Sequence, residues 1–408
     1  MSNRAENRPD HSAGEEGDRQ AVWVLIAIIC VAAVVRFVLL DAAPYWKDER
    51  FTVNLTQMDV ASILGWGDKN DVHPPLYYLT VHYWIQIFGT SPMAFRSVSA
   101  LLGTILIIPA WMVGRRLFGT VPAHGMALMV AIVPFHVHHA QDARMYPLFL
   151  LCSLLALLAF LRLRDGVAGM GWKSVHVLAI VASLYTHNYA VFLPVVLNLY
   201  MVGLWWMKRR DPRIQRLFRT WILLQVAIGL LYLPWITVML KQVSDIQGNY
   251  WIERESLFRY IFGSLAIYSG TLKYIMTPLV AVGMILLCLP GVLKSALLHG
   301  EKGEDGVLRR ILMVPVRVLD PGRWQRSEEM VLVLMVFLLP LLIPAIVSQF
   351  IQPMFLPRGA ILSSLFFYLI AARGVTLLPG RVGVMVGGGV VLASLINLGD
   401  YYLHQIPG

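Results

Sequence analysis

The chain has 408 residues, of which 57% are hydrophobic and only 14% charged, and it carries a formal charge of +10. A soluble domain carries about 25% charged residues, and the repeated apolar runs here reach the length of about 20 residues that crosses a bilayer, so the composition excludes a water-soluble protein. The surplus of bases fits the cytoplasmic loops of a multi-pass protein, not nucleic-acid binding, and Cys30, Cys152 and Cys288 each lie in an apolar run, where disulfides are not expected.

Residues 1–20 are polar and include Pro9, Gly14 and Gly17; they read as a disordered cytoplasmic tail. The transmembrane domain is read from 21 to 408. Its first span, about 21–40, is too long for a cleaved signal peptide. Residues 41–95 form a first external loop. In it, the adjacent carboxylates Asp48 and Glu49 follow Tyr45 and Trp46, and His73-Pro74-Pro75 precedes an aromatic helix start, Leu76-Tyr77-Tyr78. Leu76–Phe88 is apolar but short. If it crossed, Arg115-Arg116 would fall outside; lying flat as a juxtamembrane helix, it lets span 2 (about 96–114) bring that pair to the cytoplasm.

The alternation then continues. Span 3 (about 121–139) runs out to Gln141-Asp142-Ala143-Arg144, and span 4 (about 145–161) returns to Arg162 and Arg164. Span 5 (about 174–188) goes out to His187-Asn188-Tyr189, and span 6 (about 190–207) returns to Lys208-Arg209-Arg210. Span 7 (about 220–240) leads to a second external loop, 241–274, in which Leu257–Ser269 reads as another surface helix. Span 8 (about 275–295) returns to a basic cytoplasmic loop, 296–329. Spans 9 (about 330–351), 10 (about 359–377) and 11 (about 382–399) complete an all-α bundle of about 11 spans. This arrangement puts 23 of the 34 Lys and Arg in the cytoplasm and ten outside, with Arg36 inside span 1, as the positive-inside rule prefers. Pro109, Pro194, Pro234, Pro340 and Pro344 within apolar runs predict kinks.

With this topology Asp48, Glu49, His73, Asp142, Arg144, His187 and Arg358 all fall at the outer ends of spans. Ionisable groups near a membrane interior are functional candidates, yet each has a plainer reading. Asp48 could be a loop acid paired with Lys47 or Arg50. His73-Pro74-Pro75 could be a helix start. Asp142 and Arg144 could close a turn, or Arg144 could hold a phosphate. Arg358 could snorkel to headgroups. Two adjacent carboxylates suit one base and one orienting acid. His136, His138 and His139 cluster near Asp142, and if this stretch is helical His138 and Asp142, four apart, share a face; a divalent metal site is possible there, but no spacing among them is a specific ligand motif.

The order WxDE, DVHPPLYYxxxHxWxxxFGxSxxAxRxxSALxG, GRRLFG, PFHxxxxQDARMY and YTHNY resembles the GT-C-fold membrane glycosyltransferases of the protein O-mannosyltransferase and aminoarabinose transferase superfamily. The match runs from about Tyr45 to Tyr189. Beyond it lie mainly hydropathy and Arg358, which is followed here by Gly359 where the family often has Tyr. Many relatives continue into a soluble external domain after the point where this sequence reaches Gly408.

The resemblance implies transfer of a sugar, typically with inversion, from a polyprenyl-phosphate donor in the membrane lipid to a protein, lipid or cell-wall acceptor on the outer face. It implies Asp48 as base, with Glu49 orienting it or binding acceptor and Asp142 able to share the role. Arg144 and Arg358 are implied as phosphate ligands, His73 and His187 as supporting donors, and Tyr146 as a substrate contact. A phosphate is already a good leaving group, so no metal or other cofactor is required. The family's short members imply a bacterial plasma (inner) membrane, with the N-terminus cytoplasmic and the active site external. The competing reading, a transporter or flippase of lipid-linked sugar, predicts polar groups at mid-membrane in repeated halves. Here they gather at one interface.

Overall fold

The computed structural model describes residues 11–65, 73–246, 252–270 and 327–404, which are helical with no strand among them. Sixteen α-helices are described. They are α1 (His11–Phe37), α2 (Lys47–Thr56), α3 (Val60–Ile63), α4 (Leu76–Phe88), α5 (Pro92–Ile105), α6 (Ile107–Phe118), α7 (Thr120–Ile132), α8 (Pro134–Gln141), α9 (Tyr146–Arg164), α10 (Met170–Leu184), α11 (Phe192–Lys208), α12 (Pro212–Ile246), α13 (Leu257–Ser269), α14 (Ser327–Phe350), α15 (Ile361–Leu377) and α16 (Gly380–Leu403). A 3₁₀ turn, Asn188–Val191, leads into α11.

Seven segments are long and apolar enough to cross a membrane, α7 and α8 together make an eighth, bent by 55°, and α10 and α15 are shorter apolar helices. The protein is therefore an integral, multi-pass membrane protein. The expected span 8 and most of the basic loop 296–329 lie outside the described residues, as does part of the second external loop; α13 forms where a surface helix is expected. At 1.5 Å per residue the 13-residue α4 is about 20 Å long, short of the ~30 Å hydrocarbon core. Its Tyr77, Tyr78, Val81 and Ile85 are buried, while Tyr83, Ile87 and Phe88 are exposed, the two-faced pattern of a surface helix.

The central core is built from α6, α7, α9 and α15, whose facing side chains are apolar and buried. The span within α12 is the least buried, the mark of a peripheral helix facing lipid. A second, smaller core sits under the first loop. There Leu55, Ile63, Tyr77, Tyr78, Val81, Phe95 and Val98 close over Ala143 and Met145, so α2 and α4 are docked on the turn between α8 and α9.

Of the expected kinks, Pro234, Pro340 and Pro344 lie inside helices, whereas Pro109 and Pro194 sit in the first turns of α6 and α11, where proline is tolerated. The sharp bend of the described helices is instead at Pro134. Without an N–H, Pro134 cannot bond the Val130 carbonyl four residues back. Arg36 replaces the missing donor: Nη2 donates to Val130 O at 2.9 Å and Nη1 to Ala131 O at 3.1 Å. Arg36 is fully buried. Gly103 makes room for it, since a Cβ there would lie 3.1 Å from Arg36 Nε and 2.7 Å from Ala140 Cβ.

The helix ends gather at two poles. At one, Arg116 donates to Asp165 and Glu329, Arg164 to the same two acids, Lys208 pairs with Glu328, and Arg115 pairs with Asp18. These are the ends that the charge count groups as cytoplasmic. The other pole carries the first loop.

Candidate active site

The site begins where α1 ends. Leu39 takes a left-handed φ of 54°, a conformation costly for a residue with a Cβ, and the following carbonyls have no helical partners. Gln141 Nε2 donates to Val38 O at 2.9 Å, and Arg96 Nη1 donates to Leu40 O and Ala43 O, both at 2.9 Å. The turn that launches α2 is thus held by side chains from α5 and α8.

Arg96 also makes a two-pronged pair with Glu49: Nε to Oε1 at 2.8 Å and Nη2 to Oε2 at 2.7 Å. Glu49 Oε1 accepts a further bond from the Ala143 N–H at 2.9 Å. Glu49 is fully buried, and both of its oxygens are engaged. It ties the first loop to the turn after α8. Arg96 stands within the AxR portion of the motif, but it is not among the expected site residues. Its need for a buried counter-charge becomes evident only once Glu49 faces it.

Asp48 points the other way. Its Oδ2 lies 3.1 Å from Arg358 Nη2, and each side chain is about one quarter exposed (25% and 26%). The Arg358 guanidinium also lies over the Trp46 ring, 5.4 Å from its centre. Two residues 310 apart in sequence are therefore brought into one accessible ion pair. Arg358 is presented by the 352–360 turn. Ser348 Oγ accepts from the Met354 and Phe355 N–H groups, and the Tyr189 hydroxyl donates to Met354 O at 2.6 Å and accepts from Leu356 N at 3.0 Å. Gly359 packs on the same Tyr189, where a Cβ would lie 2.8 Å from ring carbons. A side chain at 359 would therefore collide with the Tyr189 ring.

Arg144 is buried. Its Nη1 donates to Asp48 O and Thr52 Oγ1, each at 3.2 Å, and lies 3.4 Å from the Tyr78 hydroxyl. It grips the backbone of α2 directly beneath the Asp48 carboxylate. Asp142 is the C-cap residue of α8 and is 6% exposed. Its Oδ2 lies 3.4 Å from His138 Nε2 and 3.8 Å from His139 Nδ1. Burial alone would raise its pKa. The His139 contact and the charges at His138, His139 and Arg96 outweigh burial and hold it below the ordinary carboxylate value.

His73 and His187 meet edge to face, with ring centres 5.6 Å apart. His187 stacks on Phe149, and its Nδ1 accepts the Tyr189 N–H. Burial, then His73, Arg144 and Arg358, lower its pKa well below 6.5, so the ring is neutral at pH 7. Tyr146 is buried between His139 and His187, at ring distances of 4.5 and 5.6 Å. His136 turns away from this group, with its Nε2 2.8 Å from Ser364 Oγ. The eight expected site residues thus converge on one pole. Asp48, His73 and Arg358 are the partly exposed members, and Glu49, Asp142, Arg144, Tyr146 and His187 are buried beneath them.

Residues 72–238 match the family described as dolichyl-phosphate-mannose-protein mannosyltransferase. No curated protein sequence matches. Among solved structures, the aminoarabinose transferase ArnT from Cupriavidus metallidurans aligns with a TM-score of 0.59 at 16% identity, over 89% of this chain and 61% of ArnT. The same protein bound to undecaprenyl phosphate aligns at 0.58 and 16% identity, over 89% and 62% of the two chains. The Archaeoglobus fulgidus oligosaccharyltransferase AglB, in complex with an inhibitory peptide and a dolichol-phosphate, aligns at 0.55 and 12% identity, over 95% of this chain and 56% of AglB. The chain thus spans about three fifths of the length of these enzymes. In fold it is a GT-C polytopic membrane protein, and in residues 72–238 it is similar to the protein O-mannosyltransferase type of that fold.

Proposed function

We propose that the protein is a glycosyltransferase that takes a sugar from a polyprenyl-phosphate donor and passes it to an acceptor hydroxyl on the outer face of a plasma membrane. The observation that carries this reading is the accessible Asp48–Arg358 pair at the pole opposite the basic helix ends. It sets a proton acceptor beside a fixed cation, the two groups that displacement at an anomeric carbon requires. Asp48 takes the proton as the acceptor oxygen attacks C1, the C1–O bond to phosphate breaks, and the lipid phosphate departs with the bonding pair. Attack opposite the leaving group inverts C1. Arg358 stabilises the charge that grows on the phosphate oxygens.

The remaining roles follow from placement. Arg144 fixes the backbone of Asp48 and lends positive charge from below. Glu49 acts through Arg96 as a positioning residue. Asp142, close by and ionised, adds a second carboxylate at the acceptor side. His73 and His187 form an aromatic wall that can hold sugar or phosphate oxygens. The dolichol-phosphate named for AglB and the undecaprenyl phosphate named for ArnT support a polyprenyl carrier here as well.

The test is a transfer assay in reconstituted vesicles with polyprenyl-phosphate sugars. Wild type releases free polyprenyl phosphate, and Asp48→Asn lowers the rate by about 10²–10⁴, the usual worth of a general base. Release that survives Asp48→Asn but not Asp142→Asn moves the base to Asp142. No release from any donor by folded protein rejects the reading.

A further inference from the structure

His138, His139 and Asp142 are separated in sequence by one and three positions, a spacing that belongs to no standard metal motif. The helix changes their meaning. α8 ends at Gln141 with Asp142 as its cap, so positions four and three residues back lie on the same face as the carboxylate. The three side-chain ligand atoms all fall within 4.8 Å of one another, with Asp142 Oδ2 at 3.4 Å from His138 Nε2 and 3.8 Å from His139 Nδ1.

From this geometry we infer that His138, His139 and Asp142 form a binding site for a borderline divalent cation of the Zn²⁺ class. Three points carry it. A tetrahedral centre with bonds of about 2.0–2.1 Å separates neighbouring ligand atoms by about 3.4 Å, close to the two spacings to Asp142 of 3.4 and 3.8 Å, with all three atoms within 4.8 Å of one another. Next, His139 Nδ1 and Asp142 Oδ2 are buried and face each other at 3.8 Å, too far for a hydrogen bond, and neither atom makes a well-formed hydrogen bond elsewhere; their side chains are only 7% and 9% exposed. Buried polar atoms almost always have partners, and a cation between these two would serve both. Last, the donors are two imidazoles and one carboxylate, a set that suits Zn²⁺, Mn²⁺ or Co²⁺ better than the all-oxygen cations Ca²⁺ and Mg²⁺.

The surroundings are arranged for the task. The His139 ring is held between Phe135 at 4.8 Å and Tyr146 at 4.5 Å, which fixes its direction. His138 is 46% exposed and gives a route of entry. Three protein ligands leave a fourth position open. A bound cation would brace the turn that carries Asp142 and Arg144. The site shares Asp142 with the transferase reading, but it rests on the geometry of α8 and its cap residue and does not depend on that reading.

The experiment uses tag-free, full-length protein in lipid nanodiscs, stripped with a chelator. Zn²⁺ is titrated in competition with a chromophoric chelator, with Co²⁺ as a spectroscopic substitute and no donor or acceptor present. Wild type is expected to bind one Zn²⁺ per chain and to give intense visible Co²⁺ bands. His138→Ala and His139→Gln are expected to bind at least about tenfold more weakly, since even groups behind the ligands are worth that much, and to lose the bands. His138 is half exposed, so His138→Ala keeps the fold, and its melting temperature in chelator reports this directly. Absence of stoichiometric binding by wild type, or a weakening of less than tenfold in folded His138→Ala, overturns the site. Donor turnover is measured separately, so a transferase without the metal and a metal site without transfer give different results.

Discussion

The side chains of Asp48 and Glu49 leave the first turn of α2 in opposite directions, one toward Arg358 and solvent, the other into the Arg96 clamp. Substitution of either should lower transfer strongly, for different reasons. Glu49→Ala strands a buried guanidinium and should cost about 3–5 kcal/mol of stability, seen as a large fall in melting temperature. Asp48→Asn removes one partner of a partly exposed pair and should cost no more than about 1 kcal/mol, with melting almost unchanged. His187 gives a pH signature. Its folded pKa lies well below 6.5, so the unfolded chain binds a proton more readily. Its contribution is complete above pH 6.5 and is lost as pH falls from there toward the folded value. Melting temperature should therefore drop between pH 7 and pH 5, and the drop should be smaller in His187→Gln. That Asp48, His73, Asp142 and Arg358 would gather at one pole was legible in the sequence, because each carries a charge or an imidazole at a span end. The pairing of Glu49 with Arg96 was not, because the two lie 47 positions apart and adjacency to Asp48 drew attention to that neighbour instead.

At the level of helices, hydropathy located the seven long apolar segments of the described residues, but the bend at Pro134 was not singled out among so many prolines. A proline breaks a membrane helix sharply where another group takes over its orphaned carbonyl, and here that group is Arg36 of α1, 94 positions from Val130. The buried arginine and the proline therefore form one device. Arg36→Met should leave the Val130 and Ala131 carbonyls unpaired, at about 1–3 kcal/mol each. In a Pro134→Ala background the restored N–H can bond Val130 O, so Arg36→Met should cost clearly less there. A double-mutant cycle of thermal melting measures the difference; strict additivity would show that the two do not act together. Because Asp142 caps α8, the angle of this bend also sets where its carboxylate stands.

Taken as a whole, the molecule sorts its helix ends into a charged pole around Arg116, Arg164 and Glu329 and a second pole around Asp48. The count of Lys and Arg along the sequence anticipates this sorting, because bases resist translocation. Thr90→Cys, between α4 and α5, and Asp211→Cys, between α11 and α12, occupy the two poles and are exposed or partly exposed. In right-side-out vesicles an impermeant maleimide should label the first directly and the second only after permeabilisation. Labelling of both from one side would refute the arrangement. The pair between Asp48 and Arg358 also has a consequence in time. The two residues are 310 positions apart. At about 5–20 residues per second, a ribosome that has already delivered the first loop needs about 15–60 seconds more to make its cationic partner. On the roles proposed above, the nascent chain would carry its proton acceptor through that interval without the group that steadies the leaving phosphate, and so would spend no lipid-linked sugar while its last helices are still being inserted.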